Sequence, residues 1–367
     1  MAQRVEIRIG LIGAGLKGQH HLRVLKDIID SGLFADRAHI HIVAVADNDA
    51  DRLQLVADQF GIPATYADGF DLITRADANC IYICTPTAFH KDLCLAAIAE
   101  GKDVYCEKPV AFTVDDIGDI IRARNELGGV LVQVGMEGRS LPVIPYLKQV
   151  VTANGDKLGR LMNINFRDTQ LKPYTNDPSH PSTWRRERIF AGHGILFEHS
   201  VHDLDALLDV FGGVSRVYAN VKYYAGYEQI EDSAAVLLEL HSGATIAMTC
   251  VWNNIVLDER LVEIFFENAY IKLRYGDAGL ETVFRLGGEE PQPLDQMAAM
   301  SAFIEDLNLP TMDPIPVDPC RYANIRWMDH LIRREPAYPS LEDARAVQFV
   351  IEAIYRSAET GEPVALQ

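Results

Sequence analysis

Three short stretches carry side chains able to move protons or hold phosphates. The first is "VYCEKPVAF", where β-favouring residues stop at Glu107, Lys108 and Pro109. The proline removes a backbone donor and confines Lys108 to extended dihedrals, which restricts the direction of the lysine, and a cis bond is open to it. A lysine so placed takes up a proton or shifts the pKa of a neighbour by its charge. The plainer alternative is a charged loop after a buried strand. The second stretch is "GHGILFEHSVHDLDALLDVFG". Taken as one helix, it sets Glu198 and His202 at i and i+4 on one face, with Leu204, Leu207, Leu208 and Phe211 on the packing face. A carboxylate beside an imidazole raises its basicity and holds it in place, as a general base requires. His199, three positions before His202, joins the rim. A solvated helix face is the alternative. A zinc site from Glu198, His202 and His193 is a further one, but the order fits no H-E-x-x-H pattern and no cysteine is near, so no metal is expected.

The third stretch is "GLIGAGLKGQHH", with Gly13-x-Gly15-x-x-Gly18 directly after a strand and opening a helix. In that context the first glycine allows a tight turn, the second lets backbone approach a pyrophosphate, and the third lets helix meet strand. Free N–H groups at the helix start, around Leu16 and Lys17, complete a dinucleotide-binding expectation. The second strand ends at Asp47, twenty-nine positions after Gly18, and Asn48 follows. An acid there hydrogen-bonds ribose hydroxyls and repels a 2′-phosphate, which favours NAD over NADP. The loop "CTPTAFH" follows the next strand on the edge where open α/β sheets bind ligands, so Thr85, Pro86 and His90 join the cofactor set, as do Glu107 and Lys108. A nicotinamide cofactor leaves the protein to supply orientation and a proton acceptor, which Lys108, His202 and Glu198 would provide.

These groups need a scaffold, and the first third of the chain supplies its rhythm. "VEIRIGLIGAG", "HIHIVAVADND", "CIYICTP", "DVYCEKP" and "VLVQVG" are strand patterns separated by helical ones, two of which end at Gly32 and Gly61. Strands alternating with helices of about 10–15 residues indicate βαβ units and a parallel sheet. Near residue 136 the pattern changes to longer β-rich runs joined by turns such as "HSG" and "YGDAG", which indicates an antiparallel sheet with one apolar face. The boundaries predicted are 1–135 and 136–367, with a C-terminal helix over 341–360 that packs back on the first domain. A polar loop, "LKPYTNDPSHPSTWRRE", is too long for a simple connector and is read as functional.

Composition limits the partners. The 367 residues carry a net charge of −18, which disfavours nucleic acid. No apolar run approaches the ~20 residues that span a bilayer. The N-terminus moves directly into a strand without an export signal, and the six cysteines form no C-x-x-C pair, so a reduced, cytoplasmic protein is expected.

Together "GLIGAGLKGQHH", "CTPTAFH", "CEKP", "GHGILFEHSVHDLD" and "PSLEDARAVQFVIEAIYRSAETGEPV" resemble the glucose–fructose oxidoreductase / inositol dehydrogenase (Gfo/Idh/MocA) family over nearly the whole chain. The resemblance implies an α/β protein: an N-terminal Rossmann dinucleotide-binding domain plus a C-terminal α/β domain with a large open, mostly antiparallel sheet. It also implies homo-dimers or homo-tetramers built across that sheet, and NAD(P)-dependent chemistry on a small carbohydrate, polyol or related ring. Lys108 resembles the family's catalytic lysine and His202 its catalytic histidine. Glu198 stands where the family usually has Asp, His193 and Ser200 replace glycines, and Ser140 follows Arg139 where an aromatic residue is usual. The longer acid Glu198 and His199 are expected to reshape the pocket away from inositol. Tyr174, Trp184, Arg185 and His199, in or near the polar loop and the helix, are the expected substrate contacts. Two other classes stay open: a glycosidase or lyase that uses bound NAD transiently, and a non-catalytic NAD-binding regulator.

Overall fold

The computed structural model describes residues 4–173, 183–255, 258–276, 279–310 and 318–366. The chain forms two compact units, one taking residues 4–140, 307–310 and Asp318–Arg345, the other Leu141–Asp306 and the residues from Ala346 on. In chain order the first unit runs β1 (Val5–Ile12), α1 (Leu16–Asp30), β2 (Ala38–Ala46), α2 (Ala50–Phe60), β3 (Ala64–Tyr66), α3 (Gly69–Arg75), β4 (Cys80–Ile83), α4 (His90–Ala99), β5 (Asp103–Cys106), α5 (Val114–Leu127) and β6 (Val132–Val134). All six strands are parallel, in the order β3-β2-β1-β4-β5-β6. The order reverses between β1 and β4, which opens a ligand crevice at the carboxyl ends of those strands.

Local chemistry sets the helix limits. Asp49, Asp68 and Thr113 cap α2, α3 and α5 by accepting from backbone N–H groups of the first turn. Gly61 closes α2 in a left-handed conformation, φ 66°, as the sequence indicated. The four residues of β4 are all buried, as expected of a parallel strand covered on both faces. Short β3 and α3 were not anticipated; three and seven residues are too few to show a period.

The second unit begins with α6 (Val143–Ala153), α7 (Gly155–Leu158) and β7 (Leu161–Leu171), then α8 (Arg188–Ala191), α9 (Ile195–Glu198) and α10 (Val201–Phe211). It continues with β8 (Val214–Lys222), β9 (Ser233–Leu240), β10 (Thr245–Asn253), β11 (Glu259–Phe266), β12 (Ala269–Gly276), β13 (Gly279–Leu286) and α11 (Gln296–Asp306). The last elements are α12 (Pro319–Arg333), α13 (Leu341–Thr360) and β14 (Val364–Ala365). Its eight strands lie in the order β13-β12-β11-β7-β10-β9-β8-β14, antiparallel except for β7 beside β10. Along β9, Ala234, Val236, Leu238 and Leu240 are buried while Leu237 is exposed, so one face of the sheet forms the core.

The structural division at Ser140/Leu141 falls five residues after the sequence boundary, and α12 returns to the first unit. There Asn324 accepts from the Tyr82 hydroxyl at 2.9 Å, and the Ala323 carbonyl accepts from Gln133 at 3.2 Å. Its partners lie some two hundred residues away in sequence, so no local pattern announces this return.

Candidate active site

The glycine loop has the form a dinucleotide requires. Gly13 adopts φ +95°, and a Cβ there would lie 2.7 Å from the Cys84 carbonyl group. A Cβ on Gly18 would lie 2.0 Å from the Gly13 carbonyl oxygen, so helix and strand meet closely. Above Gly15 the space is open, with no atom within 4 Å of a built Cβ, and no side chain caps α1. The first-turn N–H groups beside exposed Leu16 are therefore presented to a pyrophosphate. Thr85 adds a buried hydroxyl oxygen with no hydrogen-bond partner among the described residues, beside half-buried Pro86. These features fit NAD at the carboxyl edge of the parallel sheet.

Asp47 closes β2 with its carboxylate buried. It accepts from the Ala14 N–H at 2.7 Å and the Asp49 N–H at 2.9 Å, which ties it to the glycine loop. Arg52 lies 3.5 Å from Asp47 and forms a 2.7 Å bond to Asp49, while Asn48 is exposed.

Lys17, Glu107 and His90, expected at the cofactor, are engaged with protein groups. The Lys17 ammonium lies 2.5 Å from Glu137 and 3.7 Å from Glu107. His21 donates from Nε2 to Glu107 at 2.8 Å and accepts at Nδ1 from Asn324 at 3.0 Å. Burial opposes ionisation of Glu107, yet Lys17 and the His21 bond bring its carboxyl down to about 2. Burial likewise opposes the Lys17 charge, but the two glutamates raise its pKa well above the ordinary lysine value. The result brackets Lys108: Glu107 accepts the Lys108 backbone N–H at 3.2 Å, and Pro109 follows in a cis bond. Lys108 itself is half-buried at the end of β5. His90 is 1% exposed, with Nδ1 2.7 Å from the Pro109 carbonyl and Nε2 2.8 Å from the Thr85 carbonyl. One ring nitrogen thus lies against a carbonyl of the cofactor loop itself and the other against a carbonyl of the E-K-P turn. Two groups with metal-type ligands converge nearby, His20–Asp318–Cys320 and His21–Glu137–Cys320, but Lys17 already supplies the cation at Glu137.

In the second unit the histidine segment departs from the single helix expected. α9 ends at Glu198 and α10 begins at Val201, with His199 at φ −128°, ψ −61°. Glu198 and His202 are thus not successive turns of one face. The cause is local: the Ser200 N–H bonds back to Ile195, five residues earlier, and the Ser200 hydroxyl donates to Asp168 at 2.7 Å. Glu198, 1% exposed, meets Arg185 at 3.2 Å, and the Arg185 guanidinium lies 4.3 Å from the centre of the Trp184 ring. Tyr174 lies outside the described residues. His202 is half-buried in the first turn of α10.

A buried network braces this break. Arg260 on β11 bonds to Asp203 at 2.8 Å and to His199 at 2.6 Å, and lies 3.9 Å from Asp168. Tyr275 donates to Asp203. Burial raises Asp203 to about 6, opposed by Arg260 and reinforced by Asp168. Asp168 is instead held well below the usual carboxylate range, because Arg260 and His199 outweigh its burial. A second brace is Glu231, fully buried, which accepts from the Gly194 N–H at 2.7 Å, the Leu196 N–H at 3.0 Å and the Tyr355 hydroxyl at 2.9 Å. Burial pushes it up to about 7. Beside it His193 stacks on Tyr355 at 3.9 Å, and burial with Arg188 nearby lowers its pKa to about 4. Sequence reading missed Asp168, Arg260, Asp203 and Glu231. The available signal was polar Asp168 and Gln170 continuing the buried alternation of Ile164 and Phe166 on β7.

Residues 7–136 match the model of the oxidoreductase family with an NAD-binding Rossmann fold, and residues 146–272 match the GFO/IDH/MocA C-terminal domain. The chain belongs to the GFO/IDH/MocA oxidoreductase family. Among GFO/IDH/MocA relatives, inositol 2-dehydrogenase 3 of Saccharopolyspora erythraea is 31% identical over 240 residues, 65% of each chain. Levoglucosan dehydrogenase of Pseudarthrobacter phenanthrenivorans is 26% identical over 216 residues, 58% of this chain and 53% of that protein. A levoglucosan dehydrogenase structure in complex with NADH superposes with a TM-score of 0.84 at 19% identity, covering 99% of both chains. The protein is therefore an oxidoreductase whose first unit is an NAD-binding Rossmann domain and whose second unit carries a mostly antiparallel sheet. Among the described residues no helix is long and apolar enough to cross a membrane.

Proposed function

We propose that the protein is an NAD-dependent dehydrogenase acting on a secondary alcohol of a sugar, cyclitol or sugar derivative. The observation that supports it most is the bracing of Lys108: Glu107, fixed by Lys17 and His21 of the glycine-loop helix, holds the lysine's own N–H at the carboxyl edge of the cofactor sheet. A lysine charge carried on that braced backbone would polarise the reacting oxygen and ease loss of its proton. Bound NAD supplies the acceptor for the electron pair leaving carbon. His202 relays the hydroxyl proton. Glu198 holds Arg185 at 3.2 Å, so Arg185 with Trp184 presents a donor fork and an aromatic face suited to a polyhydroxylated ring. His199 is the second-unit contact that Arg260 and Asp168 orient. Asp47 at the end of β2, with Arg52 drawn to Asp47 and Asp49, supports NAD over NADP. The names of the dehydrogenase relatives agree with the substrate class.

The test is absorbance at the NADH band with NAD or NADP against sugars, polyols, aminosugars and glycosides. Lys108→Ala and His202→Ala should keep NAD affinity while losing turnover. Near-full activity in either variant would remove that residue from the chemistry, and silence over the whole panel would refute the dehydrogenase reading.

A further inference from the structure

Within the first unit, the start of α12 packs against the second turn of α1, and three kinds of metal ligand converge there. His20, Asp318 and Cys320 each offer one donor atom, and the three atoms lie within 4.8 Å of one another. His20 Nε2 is 3.3 Å from Asp318 Oδ2. Two ligands held about 2.0–2.1 Å from a tetrahedral ion are about 3.3–3.4 Å apart, so this pair already has the spacing of one edge of such a shell. The other Asp318 oxygen accepts the Cys320 N–H at 3.0 Å, which fixes the carboxylate beside the sulfur. Cys320 is fully buried, while the side chains of His20 and Asp318 are 37% and 29% exposed. An ion thus has an entry path from solvent to the sulfur. The neighbouring ligands are committed elsewhere: Glu137 holds Lys17, and His21 bonds to Glu107 and to the Asn324 amide.

We propose that His20, Asp318 and Cys320 form a zinc-type divalent metal site, with solvent as the fourth ligand, that ties the start of α12 to α1. A thiolate with an imidazole selects zinc or cobalt over magnesium and calcium, which take shells of oxygen. On binding, the Cys320 S–H bond breaks, its proton passes to water, and a sulfur lone pair forms the bond to the ion. The charge around the sulfur favours a cation: the carboxylates of Glu137, Glu107 and Asp318 act on it against the single Lys17 ammonium. The ion joins segments 298 positions apart in sequence, so it contributes to the folded state of the first unit. A plain His20–Asp318 ion pair is the competing account of the 3.3 Å contact, and it makes no demand on the residue at 320.

The test takes the full chain, strips it with a chelator and reloads it with zinc or cobalt(II). Zinc should remain bound at one ion per chain after gel filtration and raise Tm in proportion to its free concentration. The cobalt form should show a thiolate-to-cobalt charge-transfer band with the intense visible bands of a tetrahedral ion. Absence of the charge-transfer band in the native chain overturns the site. Cys320→Ser should abolish that band and weaken zinc binding by roughly a hundredfold or more, since even outer-shell partners of a metal are worth about 10–100-fold. A band that survives in Cys320→Ser would place the metal on another of the six cysteines and equally overturn the assignment. His20→Ala, at a half-exposed position, keeps the test open should the serine variant not fold. It should weaken zinc binding by roughly tenfold or more, whereas loss of an ion pair alone would lower Tm equally with and without zinc and leave the zinc affinity unchanged. None of these readouts depends on turnover, so the outcome is independent of the proposed dehydrogenase activity.

Discussion

Glu231→Gln should remove a pH dependence of stability that the native chain carries between pH 5 and 8. The Glu231 carboxylate is fully buried, has no cation among its hydrogen-bond partners in the described residues, and is bonded to the Gly194 and Leu196 N–H groups and the Tyr355 hydroxyl. Burial raises it from 4.5 to about 7, against the help of those bonds. A raised acid pKa means the folded chain holds its proton to higher pH than the unfolded chain. The favourable contribution is therefore complete below the unfolded value near 4.5, is lost as pH rises through about 7, and does not return. Linkage with these two values makes the native chain less stable at pH 8 than at pH 5 by about 2.5 kcal/mol from this one group. For a unit of this size that is about 5–10 °C in Tm. The assay is thermal or urea unfolding of both chains at several pH values. Glutamine keeps the shape but does not ionise. Its absolute stability is lower, because its amide N–H₂ replaces an acceptor, but its pH 5–8 slope should be flatter by that amount. Equal slopes in the two chains would refute the idea that Glu231 is buried, uncompensated and titrating in this range.

Other outcomes follow from the same geometry. Arg260→Met removes the cation between Asp203 and Asp168 and should destabilise by about 3–5 kcal/mol in chemical denaturation at pH 7.5, with part recovered at pH 5 where Asp203 takes up its proton. Lys17→Met strands Glu107 and Glu137 and should cost a similar amount at neutral pH; unchanged urea unfolding would exclude this ion cluster as a brace for the E-K-P turn. Gly18→Ala places a methyl 2.0 Å from the Gly13 oxygen, so about 1–3 kcal/mol of strain should appear as weaker NAD binding in calorimetry. Asp47→Asn removes the negative charge expected to repel a 2′-phosphate and should raise the kcat/KM ratio of NADP to NAD by roughly tenfold.

The sequence by itself determined the class of fold and the family. Those features are local or periodic: buried runs such as "CIYI", helix stops such as Gly61, and a glycine spacing that fits one turn between strand and helix. The E-K-P motif likewise marked Lys108, because a proline restricts the residue before it wherever the chain folds. Tertiary structure decided what the neighbouring side chains do. Glu107, Lys17 and His90 lie in three separate sequence motifs read as cofactor-binding, yet Glu107 and Lys17 are engaged by His21 and Glu137 and the His90 ring nitrogens lie against two carbonyls. Periodicity also failed at Ser200. Helical spacing put Glu198 beside His202, but a buried carboxylate on β7, thirty-two residues away, captures the serine hydroxyl and breaks the helix between them. Long-range partners of this kind leave almost no trace in local sequence, because a hydrogen bond is chosen by the fold and a helix period only by its own residues.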